Sequence, residues 1–242
     1  MKRIGTAPSI ATFDRPLVTV DVAIFALRND TLTVLLVRRP SDPQDPFPGQ
    51  WALPGGFVDV KQDSSLFECA VRKLKAKTGV TTPYLEQLGS WGDESRDPRG
   101  WSATHAYFAL IQAPEVADAE TSGQSMESQW FPVDEALRKR LAFDHKQILS
   151  AAVVRLRSKV EYTSLAAFLL REPFTLPQLQ KTYEVVLGRA MDKSAFRKRM
   201  LDANFLEESG MTDGVQGRVA MSYRIKDRGL ATTFPRMFKS GE

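Results

Sequence analysis

The 242-residue chain is 43% hydrophobic and 26% charged, an ordinary globular composition that excludes a fibrous or disordered chain and predicts two modest domains. One cysteine, Cys69, excludes an internal disulfide, and two histidines exclude a zinc cluster. The net charge of +4 is too mild to identify a nucleic-acid partner, but residues 160–242 hold 13 Lys and Arg against 10 Asp and Glu, so most of the excess sits in the last third.

The opening MKRIGTAPSIATFDRP has no apolar core of a secretion signal. No later run approaches the ~18 to 20 apolar residues that cross a bilayer. A cytoplasmic protein with no membrane partner is expected. LVTVDVAIFAL (17–27) and TLTVLLVRR (31–39) are rich in β-branched residues and read as paired strands. PSDPQDPFPG (40–49) is too proline-rich for regular structure and is expected to be a loop.

Residues 64–78, SSLFECAVRKLKAKT, place Leu66, Ala70, Val71 and Leu74 at helical spacing, with Ser64 or Ser65 as N-cap and Gly79 as terminator. Cys69 is expected as a small buried hydrophobe on this helix. Strands are predicted over 84–91, 101–112 and 129–133, and a helix over 144–158, so the first domain is mixed α/β. Past Val160 the pattern changes to three short amphipathic helices, 162–170, 175–188 and 192–206. Two alternating segments follow, LEESGM and GRVAMSYRIK, joined by TDGVQG. Three helices and then a hairpin is the order of a winged helix-turn-helix.

The segment WALPGGFVDVKQDSSLFECAVRKLKAKTGV (51–80) resembles the Nudix box, G-x5-E-x7-R-E-U-x-E-E-x-G-U with U a bulky aliphatic residue. Gly56, Arg72, Leu74, Gly79 and Val80 match the frame. Counted from Arg72, the family's glutamates fall on Lys73, Ala76 and Lys77, and counted from Gly56 an earlier one falls on Gln62. Residues 57–71 also exceed the family spacing by two. Positions 73, 76 and 77 share one helix face, which is how three carboxylates can hold a Mg²⁺ ion. An ammonium has no lone pair to offer and repels a cation, so no metal and no hydrolysis are expected. The alternative is a working hydrolase that draws on Asp59, Asp63, Glu68 or Glu94.

Two groups are candidates for anion and base binding. Arg38 and Arg39 end the second strand, where a guanidinium fork suits a pyrophosphate or stands solvated. The loop GDESRDPRGW (92–101) adds Arg96, Arg99 and Trp101, two arginines beside an indole that can pair with phosphate and stack on adenine, or form a turn with an edge aromatic. His105 and His145 read as structural hydrogen-bonders.

In the last third, DKSAFRKRM concentrates cations on one short helix, with Ala195, Phe196, Met200 and Leu201 expected to face the core. Lys193, Ser194, Arg197, Lys198 and Arg199 are then candidates for the DNA major groove, and Arg218 and Arg224 of the hairpin for backbone or minor groove. A small dimerisation or protein-docking domain is the rival reading.

The combination of VLLVRRP, WALPGGFV, GDESRDPRGW, LAFDHKQIL, FTLPQLQKTYEVVLGR and DKSAFRKRM resembles the NrtR family, Nudix-related transcriptional regulators of NAD metabolism. The resemblance covers nearly the whole chain. It implies an N-terminal Nudix-like α/β/α sandwich (1–159) that binds ADP-ribose and a C-terminal winged helix-turn-helix domain (160–242) that binds operator DNA. It also implies a homodimeric repressor of NAD synthesis or recycling genes that is nucleoid-associated when bound. Carried onto this chain, Arg38, Arg39, Trp51, Gly55, Gly56 and Phe57 would line the ligand site, joined by Arg99 and Trp101.

Overall fold

The computed structural model describes residues 14–80, 84–112, 127–213 and 219–235. Strands β1 (Leu17–Arg28) and β2 (Thr31–Arg38) form an antiparallel hairpin. It is closed by Asn29 and Asp30, whose φ of 48° and 54° are the left-handed pair that a two-residue hairpin turn requires. β1 is central. One edge carries β2 and then, where β2 diverges, the short β4 (Gly55–Phe57), while the other edge pairs in parallel with β6 (Ser102–Leu110). β5 (Tyr84–Asp93) flanks β6, and β2 also pairs with β3 (Trp51–Ala52) and β7 (Ser128–Pro132). β3 and β4 are not among the elements predicted from sequence; each is too short to show a period.

Eight consecutive residues of β1, Thr19–Ala26, are buried, as expected of a strand covered on both faces. On one face Val20, Val22 and Ile24 meet Cys69, Ala70 and Leu74 of α1 (Leu66–Thr78). On the other, Ala23 and Phe25 meet Ile148, Leu149, Ala152 and Leu156. Those residues belong to α3 (His145–Val160), which follows the short α2 (Val133–Arg138), a helix not anticipated from sequence. The result is the expected α/β/α sandwich. α1 starts where Ser65 Oγ accepts the Glu68 N–H and stops at Gly79 with φ 70°, the N-cap and left-handed C-cap read from sequence. Cys69 is buried and unpaired, and burial, reinforced by Asp63, pushes its thiol up to about 11.

Beyond α3 the predicted helix 162–170 is a 3₁₀ turn, Ser164–Leu169, with all six residues buried. Apart from Ser164, whose hydroxyl accepts the Thr232 N–H at 2.8 Å, SLAAFL is apolar, so it fills the core and presents no polar face. The helix-turn-helix follows as α4 (Leu176–Leu187) and α5 (Lys193–Asp202). α4 opens with a Thr175–Gln178 capping box and closes at Gly188. β9 (Leu206–Asp213) and β10 (Val219–Ile225) form the wing, with β8 (Phe174–Thr175) on β10. Most of the turn TDGVQG lies outside the described residues.

One apolar core runs from Phe25 and Phe108 through α3 to Tyr183, Phe196 and Met200. Across the join, Tyr84 packs edge-on against Phe168 at 5.1 Å and Arg157 Nε donates to the Val186 carbonyl at 3.1 Å; just past it, the Tyr183 hydroxyl donates to the Thr163 carbonyl at 2.8 Å and Arg189 holds Glu161 at 2.7 and 2.8 Å. Among the described residues, no helix is long and apolar enough to cross a membrane.

Candidate functional site

Two glycines let β4 pass between a buried carboxylate and α1. A Cβ on Gly55 would stand 1.9 Å from Asp21 Oδ1 and 2.6 Å from the Val20 carbonyl oxygen, so only glycine fits there. Gly56 has φ +138°, and a Cβ on it would stand 3.0 Å from Lys73 Nζ. Gly55 is thus required by close approach and Gly56 by its backbone angle, with Asp21 beside one and an ammonium beside the other.

Asp21 organises the floor beneath β4. Arg96 Nη2 lies 3.1 Å from it, Thr104 Oγ1 donates to it at 2.7 Å, and His145 Nε2 stands 3.5 Å away. His145 Nδ1 accepts the Leu53 N–H at 2.9 Å, which places the ring proton on Nε2, facing Asp21. Burial would raise the Asp21 pKa, but His145, Thr104 and Arg96 outweigh it and hold the carboxyl below its ordinary value. Arg96 Nε also lies 2.9 Å from Asp144, and its side chain is only 2% exposed. The sequence reading of Arg96 as a phosphate contact is therefore corrected: it is an internal cation shared by two aspartates. His145 is structural, as is His105, whose Nδ1 is 2.9 Å from Ser90 Oγ.

Above this floor, Arg39, Arg99 and Phe57 gather around Asp45. Arg39 forks Asp45 at 2.7 Å through both oxygens, and its guanidinium lies 4.8 Å from the Phe143 ring centroid. Arg99 forks Asp97 at 2.9 and 2.7 Å and lies 5.2 Å from the Phe57 centroid. Burial opposes ionisation of Asp45, but the Arg39 fork, the Phe47 N–H and the charge of Arg99 keep its pKa lowered. Phe57 and Trp101 remain exposed, 44% and 51%. Arg38 is not part of this group: it reaches the Gly49 carbonyl and Glu127 at 3.2 Å. Trp51 is partly buried and packs edge-on against Phe131 at 5.0 Å at the margin of the core. The aspartates that commit these arginines were missed from sequence. Only Asp21 carried a signal, as a lone acid inside LVTVDVAIFAL.

The carboxylate positions of the box do not fit a divalent cation. Lys73 and Lys77 offer ammoniums and Ala76 a methyl, none of which can ligate. Three of the four substitute acids, Asp59, Asp63 and Glu68, are also committed. Arg72 forks Asp63 at 2.6 Å through both oxygens and holds its pKa well below the usual range. Glu68 accepts from Ser64 at the start of α1, and Asp59 accepts from the Lys61 N–H and Gln62. Among the described residues, no three His, Cys, Asp or Glu side chains converge on a metal position.

In the last third, α5 begins at Asp192, whose side chain accepts the Ala195 N–H at 2.7 Å. Phe196 and Met200 are buried, but Ala195 and Leu201 are exposed, so the core-facing stripe is narrower than expected. Lys193, Ser194, Arg197 and Lys198 face solvent. Lys198 makes an exposed pair with Asp202 at 2.7 Å, an interaction worth under ~1 kcal/mol. Lys193 and Arg197, one turn apart, make no ion pair among the described residues. Arg199 is the exception to the outward-facing set. Its guanidinium lies 4.9 Å from the Phe234 centroid and burial lowers its pKa, so it turns inward. Arg224 is exposed on the wing, held by Ser209 at 3.0 Å, and Arg218 lies outside the described residues.

Comparison with known proteins places these two sites in one family. The NUDIX domain model matches residues 17–152, and the NrtR DNA-binding winged helix domain model matches residues 166–225. The chain is 44% identical over 227 residues, 94% of its length and 89% of the relative's, to the ADPR responsive transcriptional repressor NtrR of Acinetobacter baylyi. It is similar to the crystal structure of Shewanella oneidensis NrtR complexed with a 27mer DNA, with 42% identity and a TM-score of 0.79 over 86% of this chain and 93% of that one. It is also similar to the Shewanella NrtR NUDIX domain complexed with ADP ribose, with 40% identity and a TM-score of 0.51 over 62% and 94%. The chain belongs to the NrtR family, and it carries both of that family's parts, a Nudix domain and the NrtR winged helix.

Proposed function

We propose that this protein is a DNA-binding transcriptional repressor that senses ADP-ribose through a Nudix domain that binds without hydrolysing. The observation that carries the reading is the exposed, unpaired cation pair Lys193 and Arg197 on α5. Cations in the first turn of a helix oppose its dipole, so the fold gains nothing from Lys193, whereas a phosphate or guanine would. Relatives that bind a 27mer DNA and ADP ribose support both halves. NAD synthesis or recycling genes as targets, a homodimer reading a two-fold operator, a cytoplasmic location and the absence of any cofactor complete the proposal. The lysines of the box support a non-enzymatic role.

α3 supplies the route between the sites. At its start His145 sits in the Asp21 cluster; near its end Arg157 Nε donates to the Val186 carbonyl at 3.1 Å and is followed by Glu161, which holds Arg189. Sixteen residues span roughly 24 Å at 1.5 Å per residue. A ligand that shifts the start of this rod moves the helix-turn-helix gripped by its end. A coupling of ~1–3 kcal/mol would change operator affinity about 5- to 150-fold, and DNA would weaken ADP-ribose binding by the same factor. The test is a DNA-binding selection with and without ADP-ribose, followed by gel-shift titration on the recovered site. Release of DNA as ADP-ribose rises is expected, and unchanged occupancy refutes the proposal.

A further inference from the structure

Each arginine around β4 is already committed. Arg39 is forked on Asp45, Arg72 on Asp63, Arg99 on Asp97, and Arg96 is shared by Asp21 and Asp144. Lys73 and Lys77 are different. They stand one turn apart on the same face of α1, both half-buried, and neither makes an ion pair or hydrogen bond among the described residues. Lys73 Nζ rests over the bare Cα of Gly56, with no side chain between the ammonium and β4. Burial, and then the charge of Lys73, lower the pKa of Lys77. Like charges at this spacing destabilise a helix, and partial burial removes the water that would screen them. The fold therefore holds an uncompensated charge of about two units on this face of α1, with Lys73 beside the glycine strand, the same charge as one divalent ion.

We propose that Lys73 and Lys77 are the anion-binding pair of the effector site, taking the pyrophosphate of a nucleoside-diphosphate ligand directly and without a metal. The ligand identity rests on the ADP-ribose reading above; the anion site does not. A metal bridge leaves phosphate affinity dependent on free Mg²⁺, whereas two fixed ammoniums do not. Mg²⁺ chelated by the ligand would neutralise the charge these lysines attract and weaken binding.

The test is isothermal titration of the full chain with ADP-ribose and, separately, with inorganic pyrophosphate, each in excess EDTA and in excess MgCl₂. Wild type is expected to bind both probes in EDTA at least as tightly as in Mg²⁺. Lys73→Gln and Lys77→Gln should each weaken both by roughly tenfold. Loss of a like-charge pair should leave thermal stability unchanged or raised, an outcome that separates lost binding from lost folding. Binding of either probe that appears only with Mg²⁺ overturns the proposal. So does undiminished affinity in the Lys73→Gln, Lys77→Gln double variant, which would leave the ADP-ribose reading standing. Pyrophosphate binding that depends on the lysines while ADP-ribose fails to bind keeps the anion site and sinks the ligand assignment, and binding of neither probe sinks both.

Discussion

Arg96→Met tests whether Arg96 belongs to the fold or to the ligand. Its guanidinium is 2% exposed and bridges Asp21 and Asp144 at 3.1 and 2.9 Å, with Asp21 itself 6% exposed. Removing one partner of a buried ion pair strands the other, at about 3–5 kcal/mol. Against a total stability of ~5–15 kcal/mol, that is about a fifth of the margin or more. For a chain of this length it lowers the melting temperature by roughly 6–20 °C. The pH dependence has a definite sign. The folded pKa of Asp21 lies below its ordinary 3.8, so its contribution is complete above that value and is lost as pH falls through the folded pKa. Without Arg96 the folded pKa rises, so the gap between wild type and variant is widest at neutral pH and narrows in acid. Urea unfolding at neutral pH and near pH 4 measures both. If the variant loses under ~1 kcal/mol while ADP-ribose affinity collapses, Arg96 is a ligand contact and the structural reading is wrong.

Three further substitutions separate surface from core. Arg197→Glu should weaken duplex DNA binding by on the order of tenfold or more and flatten the log–log salt slope by about 0.9 per lost phosphate contact, with unchanged melting; equal DNA affinity removes α5 from the interface. Arg199→Ala should cost ~1–2 kcal/mol in thermal denaturation because its guanidinium covers Phe234; a variant with normal stability and impaired DNA binding would return Arg199 to the outward set. Gly55→Ala drives a methyl toward an oxygen 1.9 Å away and should cost at least ~1–3 kcal/mol of overpacking in urea unfolding; a neutral variant would mean that β4 can lift off Asp21.

Elements whose signal lies within a few residues were legible. The caps Ser65, Gly79 and Gly188 and the Asn29–Asp30 turn stand where the residue types demand them. The 162–170 helix failed because its apolar residues run continuously, and length and period cannot separate a buried 3₁₀ turn from an amphipathic helix. The site divides along the same line. Arg96 meets Asp21 across 75 positions and Asp144 across 48, so no local pattern in GDESRDPRGW reveals that it is internal while Trp101 is not. Arg39 and Arg99 carry aspartates six and two residues away, yet only the folded loops aim those acids at the guanidiniums. Helix-borne cations take only part of their neighbours from spacing along the chain. Lys73 and Lys77 are four residues apart, as are Lys193 and Arg197, and no acid stands three or four residues from any of the four. Spacing alone does not decide, since Arg155 and Lys159 on α3 also lack such an acid yet meet Glu86 of β5; it takes the fold to show that Lys73 and Lys77, and Lys193 and Arg197, make no ion pair among the described residues and are left for a ligand phosphate and for DNA.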